Sequence, residues 1–208
     1  MDVLPAQIAK AQSIMSVSQS AWDSERWMDR SVLDERPILP LVEAFLVDSD
    51  LGRRKLTWLC LFAARRALPA WKLYCDGERP RLALDALTEY LRDGVPCDPN
   101  FAVAEPPAIH GSPIVDCRAA DTGCAAEAAA LAVKFSLSGD PLDAMECLSA
   151  ADGALDQSPL GNQEQFRRWF SSIAIPAAWA NRGLSPAEQE AFRSYDPDSL
   201  ATEGGTEP

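Results

Sequence analysis

The sequence has almost no histidine and lacks the common catalytic motifs. Its 208 residues include a single histidine, His110. The chain has no Gly-x-Ser-x-Gly elbow, no phosphate-binding loop, no His-Glu-x-x-His motif and no Cys-x-x-Cys pair. These are the local patterns of many hydrolases, nucleotide-dependent enzymes and zinc proteins. We therefore predict no catalytic residue, no cofactor and no metal site.

Long apolar runs and strand-like alternation are missing as well. The apolar run over residues 58–64 stops at Arg65-Arg66, far short of the ~20 residues that cross a bilayer. The first residues, MDVLPAQIAKAQS, carry no apolar signal segment. No segment alternates apolar and polar side chains for long enough to predict a strand. We expect an all-helical, cytoplasmic protein that makes no membrane contact.

The chain has six cysteines, and in a reducing cytoplasm we expect free, mostly buried thiols. His110, Cys117 and Cys124 are spaced by seven residues, which on a helix rise about 10.5 Å. Zinc ligands must all lie ~2.0–2.3 Å from one ion, so this spacing holds a metal only if the chain bends sharply. A nucleophilic pair of Cys97 and His110 in one loop is a second alternative, although no third orienting group is evident.

The charge is strongly negative and unevenly distributed. The formal net charge is −12. Residues 53–81 carry eight basic and two acidic residues, whereas residues 82–208 carry seven basic and twenty acidic ones. An acidic surface repels nucleic acid and attracts basic proteins, so we predict no nucleic-acid partner and favour a basic protein partner. Acidity that only maintains solubility is the simpler alternative.

One segment is apolar all round and is predicted to form the central helix, over residues 53–74. A helix without a polar face must be buried. Pro69 lies inside this helix and should kink it near Arg65-Arg66, because its ring removes one backbone hydrogen bond. Gly52 interrupts the helical pattern immediately before it. An earlier helix is expected to begin at Pro37 and Pro40.

The remaining chain predicts further helices in one domain. Helical patterns cover residues 80–93, 114–137, 142–155, 163–173 and 186–194. Residues 95–113 contain five prolines and no periodicity, so we predict a long loop there. We expect an N-terminal arm over 1–36 that packs on the domain, a single domain of stacked antiparallel helices over 37–195, and a disordered tail over 196–208.

The polar face of the helix over residues 80–93 is the first candidate binding surface. Its residues lie opposite the apolar stripe, at spacings of three and four. The candidate partner-binding residues are Asp85, Glu89, Arg92 and Asp93. The alternative is an ordinary solvated helix surface.

Two arginines within the apolar helix are the second candidate site. Arg65 and Arg66 need carboxylate partners, because an unpaired buried charge costs several kcal/mol. One alternative is a structural ion pair to a neighbouring helix. The other is a groove in which these arginines receive an acidic group of a partner.

The helical hairpin over residues 56–94 carries a family resemblance. It combines Ala-Arg-Arg-Ala-Leu-Pro at 64–69, Trp71, Gly-Glu-Arg-Pro-Arg at 77–81 and Ala-Leu-Asp-Ala at 83–86. With the alanine-rich segment over 117–133, this hairpin resembles immunity proteins of bacterial polymorphic toxin systems. The resemblance covers residues 56–156 and is closest over 61–86.

The resemblance implies a cytoplasmic protein that binds and neutralises a cognate toxin domain by stoichiometric occlusion. The acidic charge is consistent with a basic toxin. The first alternative is an adaptor or chaperone for a secreted effector, or another helical interaction module. The second is an enzyme, which the missing catalytic patterns disfavour.

Overall fold

The structure is a computed structural model built from helices joined by short segments. It describes residues 38–46, 49–72, 75, 77–104, 116–155 and 163–193, together with residues 5, 6, 8, 9 and 12. Its α-helices are α1 (Ile38–Leu46), α2 (Ser49–Lys72), α3 (Arg79–Asp93), α4 (Asp116–Ser138), α5 (Pro141–Gly153), α6 (Gln163–Trp169), α7 (Ile175–Trp179) and α8 (Pro186–Arg193). No strand occurs in these ranges, which confirms the all-helical, single-domain prediction.

Helix α2 lies at the centre of the fold, as its missing polar face predicts. Every residue from 56 to 64 is buried. Trp58 and Phe62 are only 5% and 3% exposed. The helix packs against α1, α3, α4, α5 and α7, so neighbours surround most of its circumference. Its polar residues lie mainly towards the ends, where the chain approaches solvent.

Gly52 has a different role from the one predicted for it. It lies inside α2, which begins at Ser49. A Cβ atom at this position would lie 2.0 Å from the backbone oxygen of Phe45 in α1. Glycine therefore does not break the helix. It lets the α1 and α2 backbones approach more closely than any side chain would allow.

Two contacts fix the antiparallel directions of successive helices. Arg54, near the start of α2, donates to the carbonyl of Leu91, near the end of α3. Lys134, near the end of α4, forms a 2.6 Å ion pair with Asp143, near the start of α5. Each pair therefore joins opposite ends of its two helices.

The first part of the predicted proline-rich loop has regular structure. Residues Pro99–Ala102 form a short 3₁₀ helix. The Asp98 carboxylate caps it by accepting from the backbone N–H of Asn100 at 2.9 Å. Arg79 of α3 donates to the carbonyl of Asn100, which joins this segment to α3. Residues 105–113, including His110, lie outside the described residues.

The predicted helix over 163–173 continues further than its sequence pattern indicates. After α6 the chain forms one wider π-helical turn, Phe170–Ala174, and then enters α7. Pro176 lies in α7, where its ring lacks an N–H and would crowd the carbonyl four residues earlier. A π turn at this position relieves the crowding and keeps the helix axis continuous.

A buried ion pair attaches α6 to α5. The Arg167 guanidinium donates to both carboxylate oxygens of Asp152, from Nε at 3.2 Å and from Nη2 at 2.9 Å. Both side chains are buried. The bidentate geometry compensates their desolvation and fixes the orientation of α6.

The described residues near the N-terminus pack onto the helical domain. Ile8 is fully buried within the same core as α2. Gln12 donates to the backbone carbonyl of Ser171 in the π turn. The rest of the predicted arm over 1–36 and the predicted tail over 196–208 lie outside the described residues.

The cysteines whose side chains the structure describes are free thiols. Cys60, Cys75, Cys97 and Cys147 are buried, and Cys124 is partly buried. Burial, together with the nearby Cys60, raises the pKa of the Cys147 thiol well above its usual value. For these five residues the prediction of free, mostly buried thiols is confirmed.

Two glycine-to-alanine substitutions should change stability in opposite directions. Gly52→Ala should lower the free energy of unfolding by about 1–3 kcal/mol, because the new methyl group meets α1 backbone. Gly123→Ala in α4 has nothing within 4 Å of its new Cβ. It should raise stability by about 0.5–1 kcal/mol through helix propensity. Urea unfolding of both variants measures the two effects, and a neutral Gly52→Ala would contradict this packing.

Candidate functional site

A groove of about 560 Å³ lies between α2, α3 and the segment that leads into α8. Its volume falls within the range of protein ligand pockets, and one side is open. Its floor on α2 is formed by Trp58, Leu61, Phe62 and Arg65. Its α3 wall is formed by Asp85, Thr88, Glu89, Arg92 and Asp93. Its third wall is formed by Gly183, Leu184 and Gln189.

The floor of the groove is one continuous face of α2. Residues 58, 61, 62 and 65 follow the spacing of three, four and seven that places side chains on one side of a helix. The rings of Trp58 and Phe62 lie with centroids 5.5 Å apart and planes tilted by 32°. The floor is therefore aromatic at one end and carries the Arg65 guanidinium at the other.

The α3 wall contains every residue predicted to bind a partner. Asp85, Glu89 and Asp93 are spaced by one helical turn each, with Arg92 beside them. Asp85 is partly exposed, and the other three are exposed. In the described part of the chain, Glu89, Arg92 and Asp93 form no ion pair or side-chain hydrogen bond. Their charges are therefore available to a partner.

Arg65 combines the two roles that its sequence context left open. Its Nη2 donates to Asp85 Oδ1 at 2.9 Å and to Thr88 Oγ1 at 2.8 Å, so it links α2 to α3. It also lines the groove. Asp85 additionally accepts from Arg81 Nη1 at 2.7 Å, so its charge is balanced by two arginines. Asp85 and Arg65 are therefore structural residues at the groove's base.

Arg66 occupies a different position from its neighbour. It is 8% exposed and is not among the residues that line the groove. Successive residues of a helix point about 100° apart, so Arg65 and Arg66 cannot share one face. The structure brings only Arg65 into the candidate site.

The third wall is held in place by a capping box at the start of α8. Ser185 Oγ accepts from the Glu188 backbone N–H at 3.3 Å, and Glu188 Oε2 accepts from the Ser185 N–H at 2.7 Å. Arg182 binds both Glu188 oxygens at 2.8 Å. Arg182 and these backbone and hydroxyl contacts lower the pKa of Glu188 to about 2. The pattern Ser-Pro-Ala-Glu is a sequence signal for this helix start, but it does not indicate a groove wall.

The third wall lies directly against the floor. A Cβ atom on Gly183 would stand 3.5 Å from the ring carbon Cη2 of Trp58. Gln189 Nε2 donates to the Leu184 carbonyl at 2.8 Å and closes the turn before α8. The Trp58 indole N–H has no hydrogen-bond acceptor within the described residues. An unpaired buried donor is uncommon in folded proteins and requires an explanation.

Two alternatives from the sequence concern a metal site and a cysteine nucleophile. No group of three or more histidine, cysteine, aspartate or glutamate residues among them could hold a metal ion. Burial, which outweighs a hydrogen bond with Ser136, raises the pKa of the Cys97 thiol. A raised pKa disfavours the reactive thiolate. Its predicted partner His110 lies outside the described residues, so the predicted pair stays untested.

The groove is thus suited to binding a protein surface or segment. Its floor is apolar, its rim carries exposed charges, and one charged residue at its base is fixed by ion pairs. This arrangement of an apolar centre with a polar rim is typical of protein interfaces. No family model, curated protein or solved structure matches this chain, so the resemblance to immunity proteins stays a prediction. No helix in the described ranges has the length and apolar character needed to cross a membrane.

The contacts of Glu188 predict a stability difference that depends on pH. The folded-state pKa of about 2 lies below the ordinary 4.5, so ionised Glu188 favours the folded state above pH 4.5. This contribution is lost as the pH falls from 4.5 towards 2. Because both side chains remain partly exposed to solvent, which screens the pair, Glu188→Gln should cost only about 1 kcal/mol at neutral pH.

Urea unfolding of wild type and Glu188→Gln between pH 7 and the acid limit of folding measures this difference. Arg182→Gln alone and combined with Glu188→Gln completes a double-mutant cycle that isolates the pair. A difference that stays constant with pH would contradict the assignment of the depressed pKa to Glu188.

Proposed function

We propose that this chain is an immunity protein that neutralises a cognate toxin domain by binding it stoichiometrically through the groove. The observation that carries the proposal is the exposed row of unpaired charges, Glu89, Arg92 and Asp93, beside an apolar floor. These charges add little to the stability of the isolated domain, because exposed charges are hydrated. A partner surface with complementary charge supplies the missing contacts.

The position of the groove agrees with the family resemblance. The hairpin of α2 and α3 carries the motifs that resemble immunity proteins, and the same hairpin forms the floor and one wall of the groove. A toxin domain that covers the groove would be blocked by occlusion. This mode of inhibition needs no catalytic residue in the inhibitor.

The overall charge supports a basic partner. The net charge of −12 attracts a basic domain over a longer range than any single contact. Such steering increases the association rate more than it strengthens the complex. Neutralisation of a toxin inside a cell requires rapid capture, so a high association rate suits the proposed role.

Growth protection tests the proposed function directly. A candidate toxin domain, sought among the products of neighbouring genes, is expressed in a bacterial host with and without the chain. We expect growth to be restored and the two proteins to elute together in a simple stoichiometric ratio. Absence of protection by folded, expressed protein would contradict immunity. A complex that forms without protection, and that promotes effector export, would instead support the adaptor alternative.

Charge reversal in the groove should weaken protection without unfolding the chain. Glu89→Lys with Asp93→Lys changes two exposed residues and should raise the Kd for the toxin domain by roughly 10–100-fold. Asp85 is left unchanged because its ion pairs support the fold. The matched control is Glu127→Lys with Glu146→Lys. It changes the net charge by the same amount, at exposed positions of α4 and α5.

Protection assays and calorimetry on both double variants make the comparison, with thermal melting as the check on folding. The control should retain affinity and protection, apart from a modest decrease in association rate. Equal effects of the two double variants would show that net charge, and not the groove, determines capture.

A further inference from the structure

The α3 wall contains a row of carboxylates of which only the first is balanced. Asp85, Glu89 and Asp93 lie one turn apart along the helix. Asp85 accepts from both Arg65 and Arg81. Glu89 and Asp93 form no ion pair with any described residue and are exposed at the open side of the groove. The groove thus contains one satisfied carboxylate and two unsatisfied ones.

The placement of these two carboxylates is unfavourable for the isolated helix. Like charges four residues apart on a helix repel each other. Asp93 is the last residue of α3 and Glu89 lies one turn before it. The carboxyl end of a helix carries partial negative charge and favours cations. Arg92 is the only basic residue in this last turn, so it offsets the two carboxylates only in part.

The floor beside these carboxylates provides the other half of a recognition site. Trp58 and Phe62 give an apolar surface on which the aliphatic stem of a long side chain can lie. Trp58 is 5% exposed, and its indole N–H has no acceptor among the residues that the structure describes. That N–H is itself buried, so the stem of an incoming side chain would contact the exposed edges of the Trp58 and Phe62 rings and not the N–H.

We propose that the groove accepts an arginine or lysine side chain of the partner protein, with its cationic head between Glu89 and Asp93 and its stem over Trp58 and Phe62. This inference rests on the proposed function, since it names the chemistry of the partner at the same groove. Arginine fits best, because its planar guanidinium binds carboxylates with two parallel hydrogen bonds and stacks on aromatic rings. Arg92 competes with the incoming cation and thereby limits the affinity.

The test uses the full chain, labelled with ¹⁵N, and one small cationic probe. The probe is Nα-acetyl-arginine methylamide, and its control is the neutral isostere Nα-acetyl-citrulline methylamide. We expect the arginine probe to shift the backbone amides of Glu89, Asp93 and Gly183 and the Trp58 indole N–H, with a Kd on the order of 10 mM, since exposed ion pairs contribute little individually. The citrulline probe should give no saturable shift.

Two variants test whether the charged groups of the groove bind the probe. Each replaces a charged side chain by a neutral one of similar shape. Glu89→Gln with Asp93→Asn should raise the Kd of the arginine probe by roughly fivefold or more, because both acceptors lose their charge. Arg92→Gln should lower the Kd of the arginine probe by roughly two- to fivefold, since the competing cation is removed. Thermal melting checks that both variants remain folded.

Three results would overturn the proposal: equal shifts with citrulline, shifts located away from the groove, or no saturable shift with arginine. The outcome is separable from that of the proposed function. Probe binding at the groove without growth protection would leave the cation site standing and reject immunity. Growth protection by the unaltered chain, without saturable binding of the arginine probe at its groove, would reject the cation site and leave immunity standing.

Discussion

The fold depends on one constraint, which is that α2 has no polar face over two turns. Such a helix is stable in water only when neighbours cover it on all sides. Helices α1, α3, α4, α5 and α7 provide this cover. The face at residues 58, 61, 62 and 65 borders the groove, whose other walls are α3 and the segment before α8. The candidate site thus lies directly over the central helix.

The ionic contacts around the groove fall into two groups with different consequences. Arg65, Asp85 and Arg81 link α2 to α3 and fix the base of the groove. Arg182 and Glu188 fix the third wall by completing the capping box of α8. The exposed charges of the α3 wall serve neither purpose. Residues that satisfy no local requirement of the fold are the ones expected at functional surfaces.

The sequence predicted the helices and the central position of α2, because periodicity and the missing polar face are local properties. It also placed Asp85, Glu89, Arg92 and Asp93 on one face, since helical spacing alone determines this. It could not predict that Asp85 is held by two arginines. Gly52 was interpreted as a break, because its close contact with the Phe45 carbonyl depends on how α1 crosses α2. The sequence did not indicate the role of Gly183, because its approach to Trp58 joins residues more than a hundred positions apart.

We propose that the groove over α2 is the surface that captures the partner. Amide hydrogen exchange, followed by mass spectrometry on the chain alone and saturated with its toxin domain, tests this claim most directly. We expect slower exchange in the complex at residues 84–94 and 182–190, with the exposed face of α5 unchanged. Protection of α5 or of the 3₁₀ segment at 99–102, with the groove segments unchanged, would contradict it.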